Sequence, residues 1–307
     1  TLINFAEKIS SFSSPLAVGM SGNFRQMKRR ILNIAVFRKE TLYQKMRALI
    51  IYLVISAVFI GCTPILSIDA STQSVYHFSD TDKNISLLDI SETFGTYDGS
   101  FVLYDNNLDS WKIYDLEEAT KRIPPESTYK IYDALLGLES GIITPEHSSM
   151  TWNGDAFPFP SWEADQDLNS AMQNSVNWYF QAIDSQLGIN RVQEFLNKIE
   201  YGNQTTSSNL DLYWSDFSLK ISPLEQVTLL KKFNTNEFHL NSQNVFSVKN
   251  AIKIASTPNG NFYGKTGTGR VNGQDINGWF IGYVETSDNS YYFATNIQSD
   301  SLSLIHI

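Results

Sequence analysis

The chain has 307 residues, a formal net charge of −9 at pH 7 and a single cysteine. This length allows one or two domains with a sizeable core, and the composition excludes a collagenous or disordered chain. One cysteine also excludes a structural disulfide within the chain. The charge divides at Arg47, because residues 1–47 carry a net charge of +7 whereas the remainder carries −16. Such opposite halves indicate two different environments.

Residues 48–68 follow the basic half and contain no ionisable side chain except Tyr52 and Cys62. A helix of this length, at ~1.5 Å per residue, can cross a hydrocarbon layer of ~30 Å, which predicts a transmembrane helix. A buried core helix is disfavoured by the length, and a signal peptide by the 47 residues that precede the segment. The positive-inside rule then places residues 1–47 in the cytoplasm and the following domain outside the cell.

Both ends of the sequence indicate a fragment of a longer protein. The chain begins at Thr1 instead of Met, and its last six residues resemble the translation of a sequencing adapter. We therefore interpret residues 301–307, which are these six residues and Ser301 before them, as an adapter-derived artefact and omit them from the fold prediction. Between residue 68 and this artefact we predict a linker at residues 69–77 and one mixed α/β domain at residues 78–300.

The first predicted elements of this domain are a hairpin and a helix. Phe101–Asp105 and Trp111–Asp115 are aromatic and β-branched runs whose short separation predicts an antiparallel hairpin. Two prolines then precede a helix that begins near Ser127 and ends before Gly141, because apolar residues recur there at i, i+3, i+4 and i+7.

The rest of the domain is predicted as helices followed by strands. Residues 165–233 have helical spacing in several short pieces, which predicts an all-helical insert. Three strand-like runs follow, separated by Gly, Asn and Asp turns: Phe262–Thr266, Gly278–Val284 and Tyr291–Ile297. Strands at both ends of the domain predict an α+β fold, in which distant segments close an antiparallel sheet flanked by helices.

The first candidate catalytic motif is Ser127-Thr128-Tyr129-Lys130, at the start of the predicted helix. Ser127 and Lys130 have a spacing that puts both side chains on one helix face. A neutral Lys130 amine could take the proton of the Ser127 hydroxyl, provided that burial lowers the pKa of the lysine. The helix N-terminus would also place backbone N–H groups near a developing oxyanion. The SxxK pattern alone is common by chance, so its weight depends on the other motifs.

The second motif is Lys265-Thr266-Gly267, at the end of a strand-like run. A lysine charge and a threonine hydroxyl there could bind a substrate carboxylate, although a solvated turn lysine is the more common reason for such a tripeptide. A phosphate-binding P-loop is rejected, because Gly260 and Gly264 are one residue too close and the following GTGRVNG cannot open a helix.

The third motif, Ser175-Val176-Asn177, is weak by itself, because Ser and Asn also mark polar helix ends. Other chemistries have less support. No two histidines are spaced as i and i+4, and one cysteine cannot build a zinc site. A Ser-His-Asp triad has no GxSxG motif to support it, and an acidic outer domain with few basic clusters argues against nucleic acid binding.

SxxK, then SxN, then KTG is the motif order of the serine penicillin-recognising proteins. The chain also resembles class D β-lactamases and, more closely, the extracellular sensor domain of the BlaR/MecR family of β-lactam receptors of Gram-positive bacteria. This resemblance covers residues 78–300 and rests on segments such as PPESTYKIYDALLGLESG, WNG at 152–154, YGN at 201–203, YGKTGTG and GWFIGYVE. Residues 1–47 resemble the end of that family's cytoplasmic metalloprotease region.

The resemblance implies a role for each motif. Ser127 would be acylated by the β-lactam carbonyl, and Lys130 would be the base, either as a free amine or as an N-carboxylated carbamate. Ser175 would relay a proton, and Lys265 and Thr266 would bind the carboxylate of the antibiotic. The ligand-binding residues would also include Asn177, Gly267 and Thr268. The backbone N–H groups of Ser127 and Thr268 would form the oxyanion hole.

Asn177 is the residue at which the sequence departs from class D enzymes, which place an apolar residue there. A polar amide beside Lys130 would hydrogen-bond the free amine and disfavour the carbamate that deacylation needs. The acylated protein would then persist and act as a signal.

Two functions follow from the resemblance. The first is a receptor in the membrane of a Gram-positive cell, which induces β-lactam resistance by acting on a cytoplasmic repressor through a protease region upstream of Thr1. The alternative is a membrane-tethered class D, oxacillinase-type β-lactamase. Neither implies a cofactor in this chain beyond the carbamate on Lys130, since the protease zinc would lie upstream, and neither implies nucleic acid binding.

Overall fold

The computed structural model of the protein describes residues 74–79 and 83–302. Seven strands in this part of the chain are β1 Asn84–Leu87, β2 Asp98–Asp105, β3 Ser110–Tyr114, β4 Lys253–Thr257, β5 Gly260–Val271, β6 Gln274–Glu285 and β7 Ser290–Leu302. They form one sheet in the order β1-β3-β2-β7-β6-β5-β4. Strand β1 pairs parallel to β3, and all other neighbours are antiparallel, so the sheet is mixed and the prediction of an antiparallel sheet is wrong at this edge.

Eight α-helices and two short 3₁₀ helices complete the described part of the chain. The α-helices are α1 Ser91–Phe94, α2 Leu116–Thr120, α3 Lys130–Glu139, α4 Leu168–Gln173, α5 Asn177–Leu187, α6 Ile189–Ile199, α7 Pro223–Asn234 and α8 Ser242–Ala251, and the 3₁₀ helices are Glu126–Tyr129 and Pro160–Trp162. Helices α4 and α7 each begin with a capping box, in which the side chains of Asp167 and Ser222 accept hydrogen bonds from backbone N–H groups of the first helical turn.

Helix α3 is the central helix of the domain. All of its residues from Lys130 to Leu138 are buried, and it packs against α4, α5 and α8. A helix surrounded on all sides in this way holds its polar residues away from water. The first residue of α3 is Lys130, so the fold places a lysine amine in the interior.

The predicted strands and helices are largely confirmed, but one predicted helix of the insert packs on the sheet instead. The hairpin is present as β2 and β3, where Val102 pairs with Ile113, and all three C-terminal strands are present but longer than predicted. The predicted all-helical insert contains α4, α5 and α6, whereas α7 packs on β2, β6 and β7 and belongs to the sheet layer. Periodicity identified α7 as a helix but carried no information on which layer it joins.

The domain begins before residue 78. Tyr76 N donates to Thr120 O at 2.8 Å and Val75 bridges to Lys121, so the described part of the predicted linker at 69–77 packs on the domain. At the other end, β7 includes the first two residues of the segment 301–307.

The predicted cytoplasmic and transmembrane segments, residues 1–47 and 48–68, lie outside the described residues. Within residues 74–79 and 83–302, no helix combines the length and the hydropathy that a membrane span requires.

Candidate active site

Ser127 and Lys130 lie in direct contact at the start of the central helix. Ser127 is in the 3₁₀ turn that leads into α3, and Lys130 is the first residue of α3. Lys130 Nζ is 2.8 Å from Ser127 Oγ. The hydroxyl is half-buried and open to the cleft, whereas Lys130 is only 1% exposed. The prediction that both side chains share one face is confirmed.

The surroundings of Lys130 favour the neutral amine. Burial, reinforced by the charge of Lys265, holds the pKa of Lys130 well below its usual range. Asp133 and Glu126 oppose this shift to a smaller extent. The indole ring of Trp214 lies 4.4 Å from Lys130 Nζ and shields it on that side, although the face of the ring attracts the charged form of the amine. A lysine in this environment can act as a general base near neutral pH.

Asn177 provides a second polar contact to the same amine. It is the first residue of α5, and its Oδ1 accepts a hydrogen bond from Lys130 Nζ at 2.7 Å. The predicted contact between Asn177 and Lys130 is therefore confirmed. An amide oxygen at this distance occupies one N–H of the free amine.

Ser175 and Lys265 form a second pair of polar side chains next to the first. Ser175 lies in the turn between α4 and α5 with a φ of 56°, a left-handed conformation that is uncommon for serine. Lys265 Nζ donates to Ser175 Oγ and to Thr266 O, both at 3.0 Å. Burial lowers the pKa of Lys265 to about 8, so this lysine still carries its charge at neutral pH.

The KTG motif lies in the middle of strand β5, not at a strand end as predicted, since β5 runs from Gly260 to Val271. The strand passes directly against the turn that carries Ser127. A Cβ atom added to Gly267 would lie 3.2 Å from Ser127 N and 3.1 Å from Pro125 O. The glycine thus allows the strand and the turn to approach closely.

The motifs meet in one cleft with a volume of about 440 Å³. Its walls combine the motif residues with aromatic and charged side chains at the mouth. The lining residues are Ser127, Phe159, Ser161, Trp162, Asn174, Ser175, Asn177, Thr266, Gly267, Thr268, Arg270 and Asp275. All three predicted motifs therefore contribute to a single concave site, which is typical of a small-molecule site.

Two residues of the site were not identified from the sequence. Trp214 packs on Lys130 from an irregular segment that carries no motif. Glu126 directly precedes Ser127, has a φ of 52° and is 6% exposed. Burial raises the pKa of Glu126 to about 8, although a hydrogen bond with Asn277 opposes the shift. In the sequence, the two prolines before Glu126 predicted the start of a helix but indicated no role for Glu126 itself.

This geometry agrees with the comparisons with known proteins. The penicillin-binding protein transpeptidase domain family matches residues 96–304. The chain therefore belongs to this family of penicillin-binding protein transpeptidase domains.

Within this family, the chain is similar to the regulatory protein BlaR1 of Bacillus licheniformis. The two are 42% identical over 303 residues, which are 97% of this chain and 50% of that protein. The chain thus spans half the length of this curated relative.

Two solved structures share the fold of the described domain. The C-terminal domain of the Bacillus licheniformis BlaR penicillin-receptor has 45% sequence identity and a TM-score of 0.69, with 72% of this chain and 91% of that chain covered. A class D β-lactamase from Sebaldella termitidis has 30% identity and a TM-score of 0.68, with 71% and 89% covered. The penicillin-recognising serine fold and the resemblance to both the receptor domain and class D β-lactamases are confirmed.

Proposed function

We propose that this chain is the β-lactam-binding part of a membrane-bound receptor. Penicillins and related antibiotics acylate Ser127, the acyl group leaves slowly, and the acylated state signals to induce β-lactam resistance. The observation that carries this proposal is the position of Lys130 Nζ, 2.8 Å from Ser127 Oγ and 2.7 Å from Asn177 Oδ1. The first contact supports acylation, and the second supports slow deacylation.

Acylation begins with a proton transfer between the two closest side chains. Lys130, neutral because it is buried, takes the proton of Ser127 Oγ as this oxygen attacks the carbonyl carbon of the β-lactam ring. The C–N bond of the ring then breaks, and the proton passes from Lys130 through Ser175 Oγ to the ring nitrogen. The product is an ester of Ser127 with the opened antibiotic, and Lys130 is again neutral. Two observations support this role: Ser175 lines the same cleft as Ser127, and the positive charge of Lys265 Nζ, 3.0 Å from Ser175 Oγ, favours loss of a proton from that hydroxyl.

The KTG strand supplies the contacts that hold the antibiotic. Lys265 carries its charge below a pKa of about 8 and lies beside Thr266, so the two can bind the carboxylate of the β-lactam. The oxyanion hole consists of the backbone N–H groups of Ser127 and Thr268. The close approach of β5 to the Ser127 turn at Gly267 supports this assignment.

Slow deacylation follows from the second contact of Lys130. A class D enzyme of this fold needs a carbamate on the lysine, and CO₂ adds only to the free, unprotonated amine. The hydrogen bond to Asn177 stabilises the free amine in competition with this addition. Without the carbamate, water can be activated only by the single lone pair of the Lys130 amine, which faces the ester oxygen of Ser127 at 2.8 Å, and the two acceptor oxygens of a carbamate are missing. The alternative function is a membrane-tethered class D β-lactamase, for which the fold similarity is equally favourable.

The proposal for the whole protein extends beyond the described residues. Residues 48–68 cross the membrane, with residues 1–47 in the cytoplasm and the β-lactam-binding domain outside a Gram-positive cell. The net charge of +7 before the apolar segment and −16 after Arg47 supports this orientation. An upstream protease region of the longer protein would then act on a cytoplasmic repressor.

Labelling with a fluorescent penicillin tests this function in the full 307-residue chain. One label per chain is expected at Ser127, with a lifetime of many minutes after removal of free antibiotic. Ser127→Ala should abolish labelling. Ser161→Ala is the matched control, because Ser161 lines the same cleft, and among the described residues its backbone oxygen, not its hydroxyl, takes part in a hydrogen bond. Rapid multiple turnover of penicillin would reject the receptor in favour of the β-lactamase.

A further inference from the structure

The mouth of the cleft carries a guanidinium group that the proposed acylation does not use. Arg270 lies on β5, beyond Thr268, and its side chain lines the same cleft as Ser127. It is 58% exposed, so its charged end is accessible to a ligand. A cationic group at this position can attract an anionic part of a ligand that extends from Ser127 toward the mouth of the cleft.

Arg270 is held in place through one nitrogen. Its Nε donates to Oδ1 of Asp275, its partner on β6, at 2.6 Å. Asp275 is 16% exposed, so this ion pair anchors the arginine side chain against the sheet. No residue within 74–79 and 83–302 hydrogen-bonds to Nη1 or Nη2 of Arg270. A guanidinium group has five N–H donors in a planar fork, so it can bind an external carboxylate while Nε remains on Asp275.

Arg270 is distant from the first anion-binding position. Lys265 and Arg270 are separated along β5 by about 17 Å, at ~3.3 Å per residue. One carboxylate beside Lys265 and Thr266 therefore leaves the guanidinium group of Arg270 unoccupied. The cleft thus has two separate positions at which a ligand carboxylate can meet a cation.

Aromatic side chains line the cleft mouth together with Arg270. Phe159 is 50% exposed, and its ring centroid is 5.2 Å from that of Trp162. Both residues line the cleft. The indole of Trp162 is fixed by a hydrogen bond from Nε1 to Asn174 O at 2.9 Å. Trp162 is half-buried and Phe159 is exposed, so the accessible faces of this aromatic pair can bury an aryl ring of a ligand.

From these contacts we propose that Arg270, Phe159 and Trp162 form a specificity subsite for β-lactams whose acyl side chain carries both an aryl ring and a second carboxylate. The ring packs on the aromatic pair, and the second carboxylate accepts hydrogen bonds from the free end of Arg270. This subsite rests on the proposed function, because it matters only if Ser127 is acylated by β-lactams. It distinguishes dianionic from monoanionic antibiotics that share the same ring system.

Benzylpenicillin and carbenicillin are matched probes for this subsite, because they differ only by a carboxylate on the phenylacetyl side chain. The second-order rate constant of Ser127 acylation is measured for each by mass spectrometry of the full chain at low ionic strength. Arg270→Gln should lower the rate constant for carbenicillin about three- to tenfold and leave that for benzylpenicillin nearly unchanged. Arg270→Lys should keep part of the difference. Lys112→Gln, which removes an exposed charge on β3, is the matched control and should change neither rate constant.

The ratio of the two rate constants decides the outcome. The ratio is the rate constant for carbenicillin divided by that for benzylpenicillin. The subsite is supported if this ratio is lower in Arg270→Gln than in the wild type, and if added salt lowers it in the wild type only. An identical ratio in the wild type and Arg270→Gln overturns it while the receptor function stands, because both antibiotics still acylate Ser127. Failure of both antibiotics to acylate the wild-type chain would overturn the proposed function and, with it, this subsite.

Discussion

Replacing Asn177 by valine tests the structural reason given for slow deacylation. Asn177 Oδ1 accepts a hydrogen bond from Lys130 Nζ at 2.7 Å, and valine removes this acceptor and places an apolar side chain of similar size at the start of α5. The lysine amine is then free to react with CO₂. We expect Asn177→Val to form the carbamate more readily and to lose the acyl group from Ser127 faster when bicarbonate is present.

The size of this effect follows from the single contact that is lost. A hydrogen bond between neutral groups contributes ~0.5–1.5 kcal/mol. Because 1.4 kcal/mol corresponds to a factor of ~10, the equilibrium between free amine and carbamate should shift about two- to tenfold. Deacylation scales with the carbamate fraction while that fraction is small, so its rate should rise by the same factor. A well-positioned base contributes ~10²- to 10⁴-fold, so this substitution recovers only part of its effect.

The assay follows a fluorescent penicillin label after a chase with unlabelled antibiotic, with and without bicarbonate, and the carbamate is detected by ¹³C NMR with labelled bicarbonate. Asn174→Val is the matched control, because Asn174 lines the same cleft but the amide oxygen that accepts from Lys130 belongs to Asn177. Unchanged label lifetime in Asn177→Val, despite an increased carbamate signal, would refute the link between Asn177 and slow deacylation.

Three further predictions concern other parts of the site. Raising the pH through about 8 should slow acylation, because burial lowers the pKa of Lys265 to about 8 and the neutral lysine no longer attracts the carboxylate; a rate constant that stays level to higher pH would contradict this. Gly267→Ala should lower the acylation rate ~10²- to 10³-fold, the usual effect of losing one oxyanion donor, since its new Cβ would lie 3.2 Å from Ser127 N; an unchanged rate in a folded variant would count against the oxyanion assignment. Burial raises the pKa of Glu126 to about 8 from 4.5, so the folded state keeps a proton that the unfolded state loses, and stability falls as pH rises between these values. In Glu126→Gln, the melting temperature should therefore fall less with rising pH than in the wild type, between about pH 5 and pH 8. An equal pH dependence of the melting temperature in both proteins would argue against a buried neutral glutamate.

The short-range geometry of the site could be predicted from the sequence. The spacing of Ser127 and Lys130 fixes them on one face of a helical turn, and the structure has Nζ and Oγ 2.8 Å apart. The contact of Asn177 with Lys130 was expected only through the resemblance to class D enzymes, because 47 residues of chain separate the two positions. Local periodicity does not determine contacts at such separation.

Other features depend on tertiary packing and were predicted incorrectly or not at all. Strand β5 continues past Lys265 because β6 pairs with it as far as Val271, so KTG lies within the strand instead of at its end. Trp214 lies over Lys130 because an irregular segment packs there. Glu126 precedes Ser127 in the chain, but its burial and left-handed backbone conformation depend on the surrounding packing. Neither position has a sequence pattern that distinguishes it from an ordinary loop residue.

The lifetime of the acyl group on Ser127 tests the central claim most directly. Intact-mass spectrometry of the full chain, after a brief exposure to benzylpenicillin and removal of free antibiotic, follows the adduct over time. A receptor should show one adduct per chain that persists for many minutes, and a deacylation rate about 10⁵-fold below that of an efficient β-lactamase corresponds to ~7 kcal/mol of additional barrier. An adduct that disappears within seconds, with continued hydrolysis of added penicillin, would contradict the account and identify a β-lactamase.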